Sequence, residues 1–179
     1  ALRALAQHDC VATLELASKL NTENRRDEAY RKVIEIISVQ SFTDTREETL
    51  RSAVGRISSK KIKSEAIHKI ISIIGRNIDK ARWADKISPL ISEIETPNLA
   101  CEFLIRDFAI RVELEQMPDV TVFCERLFKL IEKVDSKLEV IDLYFKAVEV
   151  LAKCDINEAN RFYELGRKLK EEVNPNTSE

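Results

Sequence analysis

The sequence predicts an all-α fold, and two features of it support this class. The chain of 179 residues contains only 3 Gly and 4 Pro, so it has little material for hairpins or glycine loops. Apolar residues recur with the three- and four-residue spacing of one helix face, and this pattern itself repeats along the chain. We therefore expect an α-α superhelix, a right-handed solenoid of about four and a half antiparallel helix pairs.

A recurring Asp marks the expected start of the second helix in each pair. An Asp carboxylate can accept hydrogen bonds from the free N–H groups of a first helical turn, and it interacts favourably with the positive end of the helix dipole. Each copy precedes an apolar stripe, so we expect each to be a helix N-cap. The five copies are separated by 35, 35, 40 and 36 residues: Asp9, Asp44, Asp79, Asp119 and Asp155.

The first helix of the chain is expected to be incomplete. Residues 1–9, ALRALAQHD, align without a gap with residues 147–155, AVEVLAKCD. Residues 1–7 are thus predicted to be the end of a helix whose beginning is missing, so that the chain would begin within a repeat. The outer face of the next helix, including Val11 and Leu14, should then be partly uncovered.

Partner helices are expected between the Asp-capped ones, near residues 25–40, 61–76, 98–115 and 136–153. Pro97 and Pro118 suit helix starts, whereas Pro89 should kink or shorten the helix expected at 79–94. The apolar residues predicted to face the core of the first and last partner helices are Ala29, Val33, Ile34, Ile37, Leu138, Ile141, Phe145, Val148 and Leu151.

The last two Asp-capped helices have the clearest apolar stripes. Their predicted core residues are Val120, Phe123, Leu127, Leu130, Ile131 and Val134 after Asp119, and Ile156, Ala159, Phe162, Tyr163, Leu169 and Val173 after Asp155. Stacked helix pairs share one continuous core, so we expect residues 1–173 to form a single solenoid domain. Residues 174–179 are expected to form a polar C-terminal tail.

Two segments resemble the G-D-x-x-x-A segment that starts the second helix of tetratricopeptide repeats. CDINEA at 154–159 has Cys154 in place of Gly, and HDCVAT at 8–13 has His8 in place of Gly and Thr13 in place of Ala. The segment LNTENRRDEAYRKVIEII is also similar to the degenerate tetratricopeptide-like arrays of large bacterial proteins. Trp83 and Phe123 replace the small residue in two copies, and the first-helix signature is missing. Pentatricopeptide and HEAT-like arrays therefore remain alternatives.

The motifs that would indicate catalysis or a bound cofactor are missing from the sequence. The glycines stand singly, and no H-E-x-x-H, G-x-S-x-G or C-x-x-C motif occurs. His8 and His68 are far apart for a zinc site. We expect no enzyme activity, cofactor or metal site, and reduced thiols in a cytoplasmic protein. No apolar run approaches the ~18 residues of a membrane span.

The resemblance implies that the first helix of each pair lines a groove that binds a protein or peptide. In that register Tyr30, His68, Arg76 and Tyr144 are candidates to face the groove. For each Tyr, packing in the core is the alternative.

Residues 51–82 are strongly basic, with nine Arg and Lys against Glu65 and Asp79, a net charge of +7 in a chain whose total is −2. This stretch is either an ordinary solvated face or a site for an acidic partner, with Lys60, Lys61 and Lys63 as candidate contacts.

We expect the chain to be a binding scaffold, part of a larger bacterial protein. The alternatives are single-stranded RNA binding by a pentatricopeptide-like array and a regulatory sensor attached to an enzyme or NTPase. Nucleic acid is the less expected partner, because only Trp83 lies near the basic stretch to stack on bases. The sequence does not define an oligomeric state.

Overall fold

A computed structural model describes residues 2–40, 43–74, 88–116 and 118–174 of the chain. These residues form α-helices, one short 3-10 helix and connecting turns, with no β-strand among them, which confirms the all-α prediction for this part of the chain. The chain divides into two compact units, Ala1–Thr96 and Pro97–Glu179. The single solenoid domain and its number of repeats stay predictions.

The first unit is built around a central helix. Its elements in chain order are α1 (Leu2–His8), α2 (Cys10–Ser18), α3 (Glu23–Ser38), α4 (Asp44–Arg56), α5 (Lys60–Ile74) and the 3-10 helix Ser88–Glu93. Helix α3 packs against each of the other α-helices in the described part of this unit. Its predicted core residues are buried as expected, because they lie on one face and meet apolar residues from several neighbours: Ala29, Val33, Ile34 and Ile37.

The described residues of the second unit form four helices: α6 (Pro97–Glu113), α7 (Val120–Ile131), α8 (Lys137–Leu151) and α9 (Ile156–Val173). Helix α6 packs on α7 and α8, and the most extensive contact is between α8 and α9. Lys137 Nζ at the start of α8 lies 3.5 Å from Glu172 Oε2 at the end of α9, so these two helices are antiparallel. Packed antiparallel helices are compatible with a helical repeat.

Three of the five predicted Asp caps are confirmed by their hydrogen bonds. The carboxylate oxygen accepts from a backbone N–H at 2.9 Å for Asp9, at 3.0 Å for Asp119, and at 3.0 and 3.1 Å for Asp155. Each of these residues has extended or near-extended backbone angles, as an N-cap requires.

Asp44 is not a cap, and here the prediction is wrong. Thr43 caps α4 instead, because its hydroxyl accepts from the Arg46 N–H at 3.3 Å. Asp44 is the first helical residue, where its charge still interacts favourably with the helix dipole. The fifth expected cap, Asp79, lies outside the described residues.

The described prolines lie at or near helix starts, close to the positions that the sequence predicts. Pro97 is the first residue of α6, as predicted. Pro118 directly precedes the cap of α7. The helix expected over 79–94 is a 3-10 helix in its described part, with Pro89 as the second residue.

Several predicted core positions are wrong, and their side chains face solvent. Leu138 is 64% exposed, Ile156 60% and Tyr163 47%. Ala159 and Phe162 of α9 are buried as predicted, and Gly166 continues the same buried arc. Gly166 explains this arc, because a side chain there would press on α8, so its absence lets the two helices approach along that line.

The prediction for the first capped helix is half confirmed. Val11 is 45% exposed, as expected for an uncovered outer face. Leu14 is only 5% exposed, because it lies on the side of α2 that packs against α3 and α4.

Candidate functional site

The corner between α4 and α5 is held in place by a buried carboxylate. Asp27 of α3 is only 1% exposed, and its two oxygens accept hydrogen bonds from the N–H groups of Ser58 (3.0 Å) and Ser59 (2.8 Å). Ile57, just before them, is also buried. Because both N–H groups bind Asp27 and the neighbouring Ile57 is buried, the basic residues beside this corner project from a fixed backbone.

Two of the three candidate lysines are partly neutralised by acidic residues from elsewhere in the chain. Lys60 forms an ion pair with Glu95, and Lys63 Nζ lies 3.2 Å from Glu93 Oε2. Both carboxylates lie outside the basic stretch at 51–82, so the net charge of that stretch overstates the charge of the surface.

Other cations of this stretch remain exposed. Arg56 ends α4, and Lys61 is the second residue of α5. Both are exposed, and within the part of the chain that the structure describes neither has a carboxylate at ion-pairing distance. Lys69 is exposed too, but it interacts with another residue of the chain, so it is not counted among the cations available to a partner. The candidate Arg76 and the last two cations of the stretch, Lys80 and Arg82, lie outside the described residues.

Tyr30 does not lie on a surface of the first unit. Its ring is 4% exposed in the core around α3, which matches the core-packing alternative. His68 on α5 is half-buried. The structure therefore places the exposed cations of this unit, and not its tyrosine, where a partner could reach them.

Tyr144 belongs to the second unit, on α8. Its ring meets the edge of Phe162 on α9, with 5.8 Å between ring centroids, and burial raises the pKa of its hydroxyl. The side chain is half-buried. Tyr144 thus contributes to the contact between α8 and α9 while keeping part of its surface accessible.

The described residues hold no group of three or more His, Cys, Asp or Glu arranged to bind a metal ion. Cys10, Cys101 and Cys124 are buried, and Cys154 is exposed. Burial raises the pKa of Cys101 and of Cys124 to about 12, so at neutral pH these thiols are protonated and weak nucleophiles.

None of the described helices has the length and apolar character needed to cross a lipid bilayer.

Sequence reasoning missed a charged cluster that joins α6 and α8. Lys146 Nζ lies 2.6 Å from Glu102 Oε1 and 2.7 Å from Asp142 Oδ2. The pair with Asp142 has the four-residue spacing of a helical ion pair and could have been found from the sequence. The pair with Glu102 joins residues 44 apart and depends on how the helices pack.

Comparisons with protein-family models, with curated proteins and with solved structures found no match for this chain.

Proposed function

We propose that the chain is a non-catalytic helical-repeat scaffold that binds a protein or peptide partner, with an acidic segment of that partner lying on the α4–α5 corner. The observation that supports this is the exposure of Arg56 and Lys61 on a backbone fixed by Asp27. Cations without a nearby carboxylate attract an anionic partner more strongly than paired ones do, because no internal charge competes.

An acidic peptide suits this surface better than single-stranded RNA. Proteins that bind single strands usually stack bases on aromatic side chains beside the cations. Residues 43–74, which include α4 and α5, contain no Phe, Trp or Tyr. A carboxylate-rich peptide needs only the cations and hydrogen-bond donors of the corner.

Within this proposal the helix pairs follow a tetratricopeptide-like arrangement in a larger bacterial protein of the cytoplasm. The packed helix pairs and the Asp-capped segments at 8–13 and 154–159 support this arrangement.

The test uses a fluorescein-labelled Glu-rich peptide and the matching Gln-rich peptide, with binding measured by anisotropy at several salt concentrations. The double variant Arg56→Glu, Lys61→Glu is compared with Lys129→Glu, an exposed lysine of α7. We expect the Glu-rich peptide to bind more tightly than the Gln-rich one, with affinity that falls as salt rises. The double variant should weaken binding by about tenfold or more, and Lys129→Glu should leave it unchanged.

Lys60 and Lys63 are left intact in this test. Reversing either charge would place a Glu beside Glu95 or Glu93, and this repulsion would complicate the interpretation of any loss of binding. Equal binding of the two peptides, or equal effects of the two sets of variants, would contradict the proposal. Tighter binding of single-stranded RNA than of the Glu-rich peptide would favour the nucleic-acid alternative.

A further inference from the structure

A second exposed surface lies along the contact between α8 and α9. Leu138 and Phe145 on α8, and Ile156 and Tyr163 on α9, define what we call the α8–α9 seam. Leu138, Ile156 and Tyr163 are exposed and Phe145 is half-buried. The rings of Phe145 and Tyr163 meet edge to face at 5.9 Å between centroids, so these two side chains lie on the same side of the helix pair. Leu138 and Ile156 are each seven residues from one of these rings and so lie on the same helix faces.

The spacing of the seam matches that of a helix partner. On each helix the two apolar residues are seven apart, a distance of about 10 Å along the axis. Because α8 and α9 are antiparallel, Leu138 and Ile156 lie at opposite ends of the seam, with the two rings between them. Apolar residues repeated every seven positions are the pattern by which one helix packs along another.

The charges beside the seam favour a basic partner. Asp142 and Glu149 follow the same seven-residue spacing on the exposed edge of α8. Lys146 is shared between Asp142 and Glu102, so one cation faces two carboxylates. Glu149 has no ion pair within the described part of the chain.

The opposite edge is also not basic overall. Arg167 on α9 is paired with both Glu164 and Glu171. The segment 97–179 contains 17 Asp and Glu against 12 Arg and Lys, a net charge of −5. This net negative charge favours a cationic partner of the unit over an anionic one.

We propose that the α8–α9 seam binds an amphipathic helix that places two apolar residues, seven positions apart, over the seam and carries Lys or Arg along the edge facing α8. A second copy of this chain fits less well, because pairing two seams would bring their acidic edges together. This site is distinct from the basic corner of the proposed function and takes a partner segment of the opposite charge.

The test uses the full chain and synthetic helical peptides of about 20 residues with Leu at positions seven apart, long enough to span the seam. One peptide carries Lys along one flank, a second carries Glu there, and a third is a scrambled form of the first. We expect saturable binding of the Lys peptide only.

Three variants of the chain are compared. The first carries both Leu138→Asp and Tyr163→Asp, and the second carries Glu149→Lys. The control is Val122→Asp, a change at an exposed apolar residue of α7.

The double variant should weaken binding of the Lys peptide by about tenfold or more, and Glu149→Lys should weaken it less. Val122→Asp should not change it. All substituted side chains are exposed, so thermal unfolding should show that the variants remain folded. The Glu-rich peptide that tests the α4–α5 corner should bind every one of these variants as it binds the unmodified chain, which keeps the two sites distinguishable.

Three outcomes would overturn the inference. One is equal binding of the Lys and scrambled peptides, or no saturable binding of either. Another is full binding by the double variant. A third is concentration-dependent dimerisation of the chain, seen by light scattering and removed by the double variant, because the seam would then be occupied by a second copy.

Discussion

Two glycines in helices differ in the space around them, and this difference predicts opposite effects of the same substitution. A Cβ at Gly55 would meet nothing within 4 Å, whereas at Gly166 it would lie 3.3 Å from Tyr144 Cβ. Gly55→Ala should raise the free energy of unfolding by about 0.5–1 kcal/mol, because Ala is the better helix former. Gly166→Ala should gain nothing or lose stability, because Tyr144 Cβ is close to the α8 backbone and cannot move without separating the helices. Urea unfolding of both variants measures this, and equal stabilisation would show that α8 and α9 are packed less closely.

The N-caps give a second prediction, which concerns the stability lost when a cap residue is replaced by Ala. Asp119→Ala and Thr43→Ala should each cost about 1 kcal/mol, because each removes the acceptor of a first-turn N–H group. Asp44→Ala should cost less, since Thr43, and not Asp44, is the N-cap of α4. Chemical denaturation of the three variants tests this order. A larger loss of stability for Asp44→Ala than for Thr43→Ala would show that Asp44, and not Thr43, is the N-cap of α4.

The cysteines should differ in reactivity because they differ in exposure. Cys154 is exposed, whereas Cys101 and Cys124 are buried with pKa values raised to about 12. At pH 8 the folded chain should therefore react with N-ethylmaleimide first at Cys154. Mass spectrometry of peptides after short exposure locates the modified residue, and Cys154→Ser should remove the fast reaction. Rapid modification of Cys101 or Cys124 in the folded chain would contradict their burial.

At the scale of the elements, Asp27 joins three helices through a single side chain. It belongs to α3 and accepts hydrogen bonds from the connection between α4 and α5. Asp27→Ala should lower the free energy of unfolding by about 2 kcal/mol, because it leaves two N–H groups without their acceptor. Asp27→Asn, which keeps one acceptor oxygen, should cost less.

Glu28→Ala is the matched control for Asp27, since Glu28 is the next residue of α3 and pairs with Arg31 at a partly exposed site. It should cost at most about 0.5 kcal/mol. Thermal and urea unfolding of these variants should rank them in this order. A loss for Asp27→Ala no greater than that for Glu28→Ala would mean that the corner is held by its apolar anchor alone.

The helices also show which features of an element a sequence can predict. The periodicity of α3 identifies its core face, because α3 is surrounded by neighbours and its whole apolar stripe is covered. The same periodicity fails for Leu138 on α8 and Ile156 on α9, whose stripes are wider than the area their neighbours cover. An apolar stripe shows which residues of a helix can be buried. Which of them are buried depends on the area that the neighbouring helices cover.

At the scale of the whole molecule, the division into two compact units predicts that the second unit folds without the first. Residues 97–174 should remain helical and unfold cooperatively when expressed alone, because α6 to α9 pack on one another. Circular dichroism and a thermal melt of this segment measure both properties. A segment without cooperative unfolding would support the single domain expected over residues 1–173.

The sequence by itself determined the helical class, the partner helices near 25–40, 61–76, 98–115 and 136–153, and the caps at Asp9, Asp119 and Asp155. These features depend on interactions within a few residues, such as a missing N–H partner in a first turn or the period of a helix face. The sequence also located the basic stretch that contains Lys61.

Only the tertiary structure decided which of those charges are paired and which apolar residues are covered. Glu93 and Glu95 reach the lysines of α5 from some thirty residues away, so the charge of the sequence window could not show the charge of the surface. The α8–α9 seam is likewise visible only once α8 and α9 are packed, because burial of Ala159, Phe162 and Gly166 leaves Leu138, Ile156 and Tyr163 exposed. Long-range packing sets both outcomes, and no local pattern in the chain specifies it.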